Sequence, residues 1–330
     1  LVFLDVTNRC NMNCPICLAN IPAMGFRFDP PMEYFEKVFK KLSKMKVRPK
    51  IQLFGGEPTV RDDLVDIINL AKNYGLSARV VTNGIRLANE EYCKKLLETR
   101  CQLMFSLDGL DAGIYDRIRK NPKAFELKMK ALENLEKHKK SKITIMCTTG
   151  YDVNDKHIGG LIDFCHEKRN IISALDLIPI TTHWGPEKVD IESSTIEDVE
   201  KIVEEQKPGT KFFPAGILYK FPTLKEVFNV RLTFGGAHPN CESVSMMVSD
   251  GEKYVPFTKY LKRDLNEAIL EAVQLDKDLG RRLKKKLLVK IFGKTGKKIV
   301  CGWTAFKFIR RTVDLKEVFG DNTTIKIIKI

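Results

Sequence analysis

The sequence predicts an α/β protein, six strand–helix units in series followed by a smaller α+β extension. Three observations predict it. Short apolar runs alternate six times with stretches of helical periodicity, polar and glycine-rich residues stand where the strand-like runs end, and the alternation fades after about residue 185. Strict alternation of this kind implies parallel strands joined by right-handed crossovers, in a barrel or an open sheet, with the chemistry at the strands' C-terminal ends.

Taken in order, Leu1 to Val6 is strand-like, and after the breaker pair Pro30-Pro31 the apolar residues Met32, Phe35, Val38, Phe39, Leu42 and Met45 recur at helical spacing. Ile51 to Phe54 precedes a helix through Leu64, Ile67, Ile68 and Ala71, and Ala78 to Val81 precedes one around Tyr92 to Leu97. Leu103 to Leu107 leads into a long helical region ending near Lys140, and Ile143 to Cys147 into a helix through Leu161 and Phe164. Ala174 to Ile180 leads to a helix at Thr195 to Gln206, which Ser194 and Glu197 open as a capping box. Beyond it, residues 208–260 are rich in Pro and Gly, and Asp250-Gly251 reads as the turn of a hairpin between Met246 to Val248 and Lys253 to Phe257. From Leu261 to Ile291 helical spacing returns. The division expected is a core over residues 1–190 and a second region over 191–330.

Composition narrows the function classes. At about 150 residues per domain, 330 residues allow two domains, and 43% apolar content suffices for a packed core. The longest apolar runs fall far below the roughly 18 residues of a membrane helix, and no signal segment opens the chain. A net charge of +14 asks for an anionic partner. Nine cysteines, an odd number, suit a reducing cytoplasmic setting with thiolates free for metal better than a secreted disulfide scaffold. Four Gln against 56 Lys plus Arg hints at a thermophile. Both ends read as cut: the chain starts at Leu1 inside a strand-like run and stops at Ile330 inside another, so a longer protein is expected.

The strongest signal is Cys10-Asn-Met-Asn-Cys14-Pro-Ile-Cys17, three thiols within eight residues just after the first strand. Three thiolates satisfy three irons of a [4Fe-4S] cluster and leave the fourth open to an exogenous ligand. A zinc knot or unconnected buried thiols are the alternatives, although zinc prefers paired halves and a fourth ligand that this loop does not offer nearby. Gly55-Gly56-Glu57-Pro58 follows the second strand, where two glycines expose backbone carbonyls and Glu57 adds an acceptor, a set suited to an amino group. Asn83, Ser106 and Asp108 stand at the exits of strands three and four.

Together these motifs, over residues 1–185, make the chain resemble the radical S-adenosylmethionine (SAM) superfamily. The resemblance implies a partial (β/α)6 barrel in which Cys10, Cys14 and Cys17 ligate a [4Fe-4S] cluster whose open iron holds the amino and carboxylate groups of SAM. It gives the SAM amino group to Gly55, Gly56, Glu57 and Pro58, and adenine contact to the backbone of position 16, usually aromatic and here Ile16. Asn83, Ser106 and Asp108 match positions that bind the ribose and carboxylate, the alternative being ordinary turn and capping roles. The chemistry implied is one-electron cleavage of SAM to a 5′-deoxyadenosyl radical that takes hydrogen from an unactivated C–H, fed by a ferredoxin- or flavodoxin-type donor.

Shorter motifs bear on the substrate. Cys10 to Ala19, Gly55 to Leu64, His238-Pro-Asn-Cys241 and Val255-Pro-Phe-Thr-Lys-Tyr260 together resemble the archaeal tetraether lipid synthase family, whose members have also been called pterin methyltransferases. That implies joining of isoprenoid lipid chains with auxiliary iron centres. Methylation of a pterin precursor or another small molecule is the rival, and a non-catalytic iron–sulfur carrier or scaffold the alternative from another class. Cys241 is a candidate auxiliary ligand or an isolated loop cysteine, Cys301 an isolated buried one, and Cys93, Cys101, Cys147 and Cys165 core residues. Phe212, Phe213, Ile217, Leu218, Phe221 and Phe228 suit an apolar substrate or a plain core. Asp155-Lys-His157-Ile-Gly-Gly160 spells a cobalamin-binding pattern but lies between the fifth strand and its helix, where Asn154 or Asp155 serves as N-cap. Residues 281–298 hold nine Lys or Arg and no acid among Leu283, Leu287, Leu288, Ile291 and Phe292. Such a segment is a solvated helix face or one lying on anionic headgroups, at a membrane the protein visits peripherally. With Phe292 its one aromatic, it argues against nucleic-acid stacking.

Overall fold

The computed structural model describes every residue except 18, 22, 23, 139–141, 182–189, 230–240, 321–326 and 330. The chain divides into two compact units, Leu1–Ile202 and Val203–Ile330.

The first unit is the six-fold βα series. Its strands are β1 (Val2–Thr7), β2 (Ile51–Gly55), β3 (Ala78–Thr82), β4 (Gln102–Ser106), β5 (Ile143–Thr149) and β6 (Ile172–Pro179). All pair in parallel and in chain order, with Leu4 opposite Leu53, Val80 opposite Leu103 and Ile145 opposite Leu175 among the partners. The helices are α1 (Met32–Ser43), α2 (Leu64–Asn73), α3 (Glu90–Glu98), α4 (Ala112–Arg119), α5 (Ala124–His138), α6 (Ile158–Glu167) and α7 (Ile196–Gln206). The arrangement is the partial barrel expected.

Strand periodicity explains where the core and the site lie. Side chains alternate between faces, so Val80, Phe105, Ile145 and Cys147 are fully buried, while their neighbours Val81, Met104, Met146 and Thr148 line a cavity on the other face. Phe35 and Phe39 of α1, Ile67 and Ile68 of α2 and Leu96 of α3 are fully buried at helical spacing.

Three local expectations are corrected. The single helix before residue 140 is two, because Lys120 takes a left-handed φ of 51° ahead of Asn121-Pro122; its expected end near Lys140 lies outside the described residues. The box opening α7 is Thr195 with Asp198, Thr195 donating to Asp198 Oδ2 at 2.8 Å and Asp198 N–H to Thr195 Oγ1 at 3.2 Å. Ser194 instead donates to the Thr149 carbonyl at 2.8 Å. Of the two cap candidates Asn154 and Asp155, the Asn154 side chain makes no cap: it is buried, and its amide donates to the carbonyls of Asp108 at 2.7 Å and Thr148 at 2.8 Å, tying the exits of β4 and β5 together.

The second unit contains β7 (Phe213–Pro214), α8 (Pro222–Phe228), β8 (Ser243–Val244), β9 (Met246–Ser249), β10 (Tyr254–Pro256), α9 (Leu265–Arg282), α10 (Leu287–Thr312), α11 (Leu315–Gly320) and β11 (Ile327–Lys329). The hairpin expected at Asp250-Gly251 is present, β9 pairing antiparallel with β10 on one side and β11 on the other. Gly293, at φ 50° and ψ −121°, breaks α10, and a Cβ at Gly296 would lie 2.0 Å from the Leu288 carbonyl oxygen, so the piece before the break folds back on the piece after it. Asp276, almost fully buried, accepts the Thr223 and Leu224 N–H groups at 3.0 and 2.8 Å and so caps α8. Phe213, a candidate for substrate contact or plain core, is buried with Ala215 and Val244.

Candidate active site

The loop after β1 is clamped at both ends. Arg61, 5% exposed, donates through one nitrogen to the carbonyls of Val6 at 2.8 Å and Pro30 at 2.9 Å, while Asp63 holds the rest of its fork at 2.7 and 2.6 Å. Within the loop, the Asn8 side chain bridges the Phe26 carbonyl at 2.8 Å and the Phe28 N–H at 2.6 Å, and Arg9 pairs with Asp29 at 2.7 Å.

Two glycines then fasten this loop to the exit of β2. Gly56 N–H donates to the Thr7 carbonyl and Glu57 N–H to the Arg9 carbonyl, each at 2.8 Å. A Cβ at Gly55 would sit 2.1 Å from the Thr7 oxygen and one at Gly56 would sit 2.2 Å from the Arg9 oxygen, so no side chain fits at either position. The glycine pair exists because the backbone leading to Cys10 passes at hydrogen-bond distance.

Cys10, Cys14 and Cys17 are all half-buried and unbridged, and all three border one cavity of about 570 Å³ together with Gly55, Gly56 and Glu57. The apolar side chains of Phe3, Met12, Phe54, Met104, Met146 and Ile178 line it too. Ile16 borders it as well. Burial pushes the Cys10 thiol up to about 12, against the lowering effect of the Met12 N–H, and raises Cys14 against the Arg119 guanidinium that hydrogen-bonds it. Iron bound by these thiols would have to displace their protons.

Glu57 is almost fully buried, and both its oxygens are engaged. One accepts Thr59 N–H at 3.0 Å and the hydroxyls of Thr59 and Thr82, each at 2.7 Å; the other accepts Asn83 N–H at 2.6 Å. The carboxylate thus ties the turn after β2 to the exit of β3, and Pro58 opens that turn as a buried 3-10 residue. Asn83 borders the cavity and donates to Asn11 Oδ1 at 2.7 Å, reaching the cysteine loop itself. Ser106 also borders it.

Asp108 is the correction among the expected cofactor contacts. It is fully buried and does not border the cavity; its carboxylate takes Arg119 Nε at 2.9 Å, an Arg119 terminal nitrogen at 2.7 Å and Thr148 N–H at 3.1 Å. Burial alone would raise its carboxyl, but Arg119 outweighs burial and holds it below the usual range. Two cations that the sequence alone did not single out also face the cavity, Arg119 from α4 and Lys128 from α5. Lys128, 1% exposed, donates to the Asn83 and Ser106 carbonyls, each at 2.6 Å, and lies over the rings of Phe105 and Tyr115 at 5.6 and 5.7 Å. Burial pulls its ammonium down to about 8. A signal was available: Lys128 falls on the buried face of α5, three, four and seven residues before Ala131, Leu132 and Leu135.

The residues fit an iron–sulfur cluster in the chemistry of their donors, three thiols from one short loop on the wall of one cavity. Among the described residues no three His, Cys, Asp or Glu converge on a single metal ion; a cube asks for its thiolates on separate irons. Cys241, the candidate auxiliary ligand, is exposed in the second unit, and the His238-Pro-Asn segment before it lies outside the described residues. Cys93, Cys101, Cys147, Cys165 and Cys301 are buried.

Comparison with known proteins agrees with this geometry. Residues 4–165 match the Radical SAM superfamily. The chain is 34% identical over 272 residues to 7,8-dihydro-6-hydroxymethylpterin dimethyltransferase of Methanocaldococcus jannaschii, covering 79% of this chain and 54% of that protein, so it spans about half that relative's length. It is 28% identical over 269 residues to a probable GTP 3′,8-cyclase of Methanococcus aeolicus, covering 72% of this chain and 83% of the cyclase. Among solved structures, native anSMEcpe with bound AdoMet shares the fold at a TM-score of 0.51 and 19% identity, over 62% of this chain and 59% of that one. Streptococcus suis SuiB bound to precursor peptide SuiA shares it at 0.50 and 17%, over 62% and 44%.

Proposed function

Because this chain belongs to the radical SAM superfamily, we propose that it cleaves SAM reductively beside the Cys10–Cys14–Cys17 loop and takes hydrogen from an unactivated C–H of an apolar substrate, the reaction being the joining of archaeal isoprenoid lipid chains. The observation that carries the reading is the single cavity bordered both by three thiols and the Gly55–Glu57 segment and by the apolar side chains of Phe54, Met104 and Met146. A bound cluster supplies one electron, and SAM the group that abstracts hydrogen.

The chain's own residues divide the remaining work. Cys10, Cys14 and Cys17 hold the cluster, and the exposed backbone of Gly55 and Gly56 takes the SAM amino group. Arg119 and Lys128 face the same cavity as the fixed cations suited to a carboxylate, while Ser106 and Asn83 offer neutral partners. Glu57, with both oxygens committed to the protein, positions rather than binds. Side chains such as Phe54 and Met146 exclude water from a reactive centre. A low-potential donor of ferredoxin or flavodoxin type completes the reaction.

The test is anaerobic reconstitution with iron and sulfide, reduction and addition of SAM, with and without an archaeal phospholipid extract. Lipid-stimulated 5′-deoxyadenosine together with coupled chains is the expected result. SAM turnover that the extract leaves unchanged contradicts the lipid reading. The name of the M. jannaschii relative favours a second reading, methylation of a pterin, which predicts the SAM methyl group in the product.

A further inference from the structure

From Arg281 to Thr312 the chain carries twelve Lys or Arg and no acidic residue, nearly the whole of the net +14. The helix after the break at Gly293 shows two apolar faces. Cys301 is fully buried on one, packed with Val227 and Leu283. Roughly opposite on a 3.6-residue helix, Ile299, Trp303 and Phe306 follow one another at spacings of four and three and stand 48%, 59% and 47% exposed. Trp303 and Phe306 stack at 5.7 Å, with the Lys307 ammonium 5.4 Å above the indole. In the piece before the break, Leu287, Ile291 and Phe292 are more than half exposed.

A core helix needs one apolar face, and solvated helices do not present rows of large apolar side chains. Ile299 and Trp303 of the exposed row line a groove of about 1250 Å³ together with Arg282, Lys286, Lys298, Lys307, Arg310 and Arg311, with Asp278 the one acid among its lining residues. Exposed aliphatic and indole surface framed by cations matches the boundary between acyl chains and negatively charged headgroups. A nucleic acid would match the cations but leave Leu287, Ile291 and Ile299 without partners. A second copy of the same face would set Arg282, Lys286, Lys298, Lys307 and Arg310 against the same cations.

We propose that the face formed by the end of α9 and by α10 docks the protein on an anionic lipid bilayer, Trp303, Phe306 and Ile299 entering the interface while Lys298, Lys307 and Arg310 meet the headgroups. The proposal rests on no reading of the reaction, because docking is measured without SAM or turnover.

The test uses the full chain carrying Trp184→Phe, which leaves Trp303 as the sole indole, with vesicles of phosphatidylcholine alone or with about 30% phosphatidylglycerol. Anionic vesicles are expected to co-float the protein and shift Trp303 emission to the blue; neutral vesicles do neither. Raising salt to about 0.5 M lowers binding at least about tenfold. Lys298→Glu with Lys307→Glu and Arg310→Glu lowers it about a hundredfold, at about 1 kcal/mol for each basic residue at such a surface. Equal binding to neutral vesicles, an unshifted Trp303 emission, or tighter binding to duplex DNA than to anionic vesicles at the same salt would overturn it. Lipid composition and salt are read on chains with the basic residues intact, so the outcome does not hang on the folding of the triple variant.

Discussion

Asp108 and Arg119 form a buried pair, and each is the other's means of staying charged there. Replacing Asp108 by Ala strands the Arg119 guanidinium, and the expected cost is about 3–5 kcal/mol, read as a lower urea midpoint. Lys128 behaves in the opposite sense. Its folded value of about 8 lies below the ordinary lysine value of about 10.4, so between the two the unfolded chain binds more protons and stability rises with pH. Lys128→Met removes that term. Native protein should therefore gain on the variant by up to about 3 kcal/mol between about pH 8 and pH 10, measured by denaturant unfolding at both; a gap that narrows with pH contradicts the placement of Lys128. These residues also mark how far the site could be read. The cysteine triad and the glycine pair are local patterns whose chemistry shows in their spacing. Arg119 and Lys128 meet the cysteines only through the fold, more than a hundred residues along the chain, and Asp108 looked like a rim residue because position on a strand exit does not reveal which way a side chain turns.

The element that organises the site is the junction of the β1 and β2 exits. Because a Cβ at Gly56 meets a carbonyl oxygen rather than a movable side chain, Gly56→Ala must shift the backbone that leads into Cys10. We expect a loss of at least about 2 kcal/mol and iron incorporation well below native, measured by urea unfolding and iron content after reconstitution; native iron content in a stable Gly56→Ala protein contradicts the coupling. Elements were legible wherever periodicity ran long, as in α1, α2 and the β9–β10 hairpin. Boundaries were not, because they turn on single competitions. Thr195 and Ser194 are both good caps, and only the fold shows that Ser194 is taken by the Thr149 carbonyl. Lys120 ends α4 by a left-handed turn, beside the breaker pair Asn121-Pro122, which the long apolar periodicity on either side obscured.

At the scale of the whole molecule, the order of the six strands followed from alternation alone, since parallel neighbours with right-handed crossovers leave few other arrangements. The division into units did not follow as closely. It falls between Ile202 and Val203, inside α7, whereas the fading alternation placed it at 190/191, ahead of the helix. Charge is the other global property, and its concentration in α10 and the end of α9 was visible in sequence while the outward row of Ile299, Trp303 and Phe306 was not.

In the reading we propose, the three thiols and the Gly55–Glu57 segment form one site for a cluster and SAM. Electron paramagnetic resonance of the anaerobically reconstituted, dithionite-reduced chain tests it most directly. The account predicts a [4Fe-4S] signal that SAM alters, and no such cluster when Cys10, Cys14 and Cys17 are all replaced by Ala. A cluster signal indifferent to SAM, or one that survives the triple replacement, would contradict it.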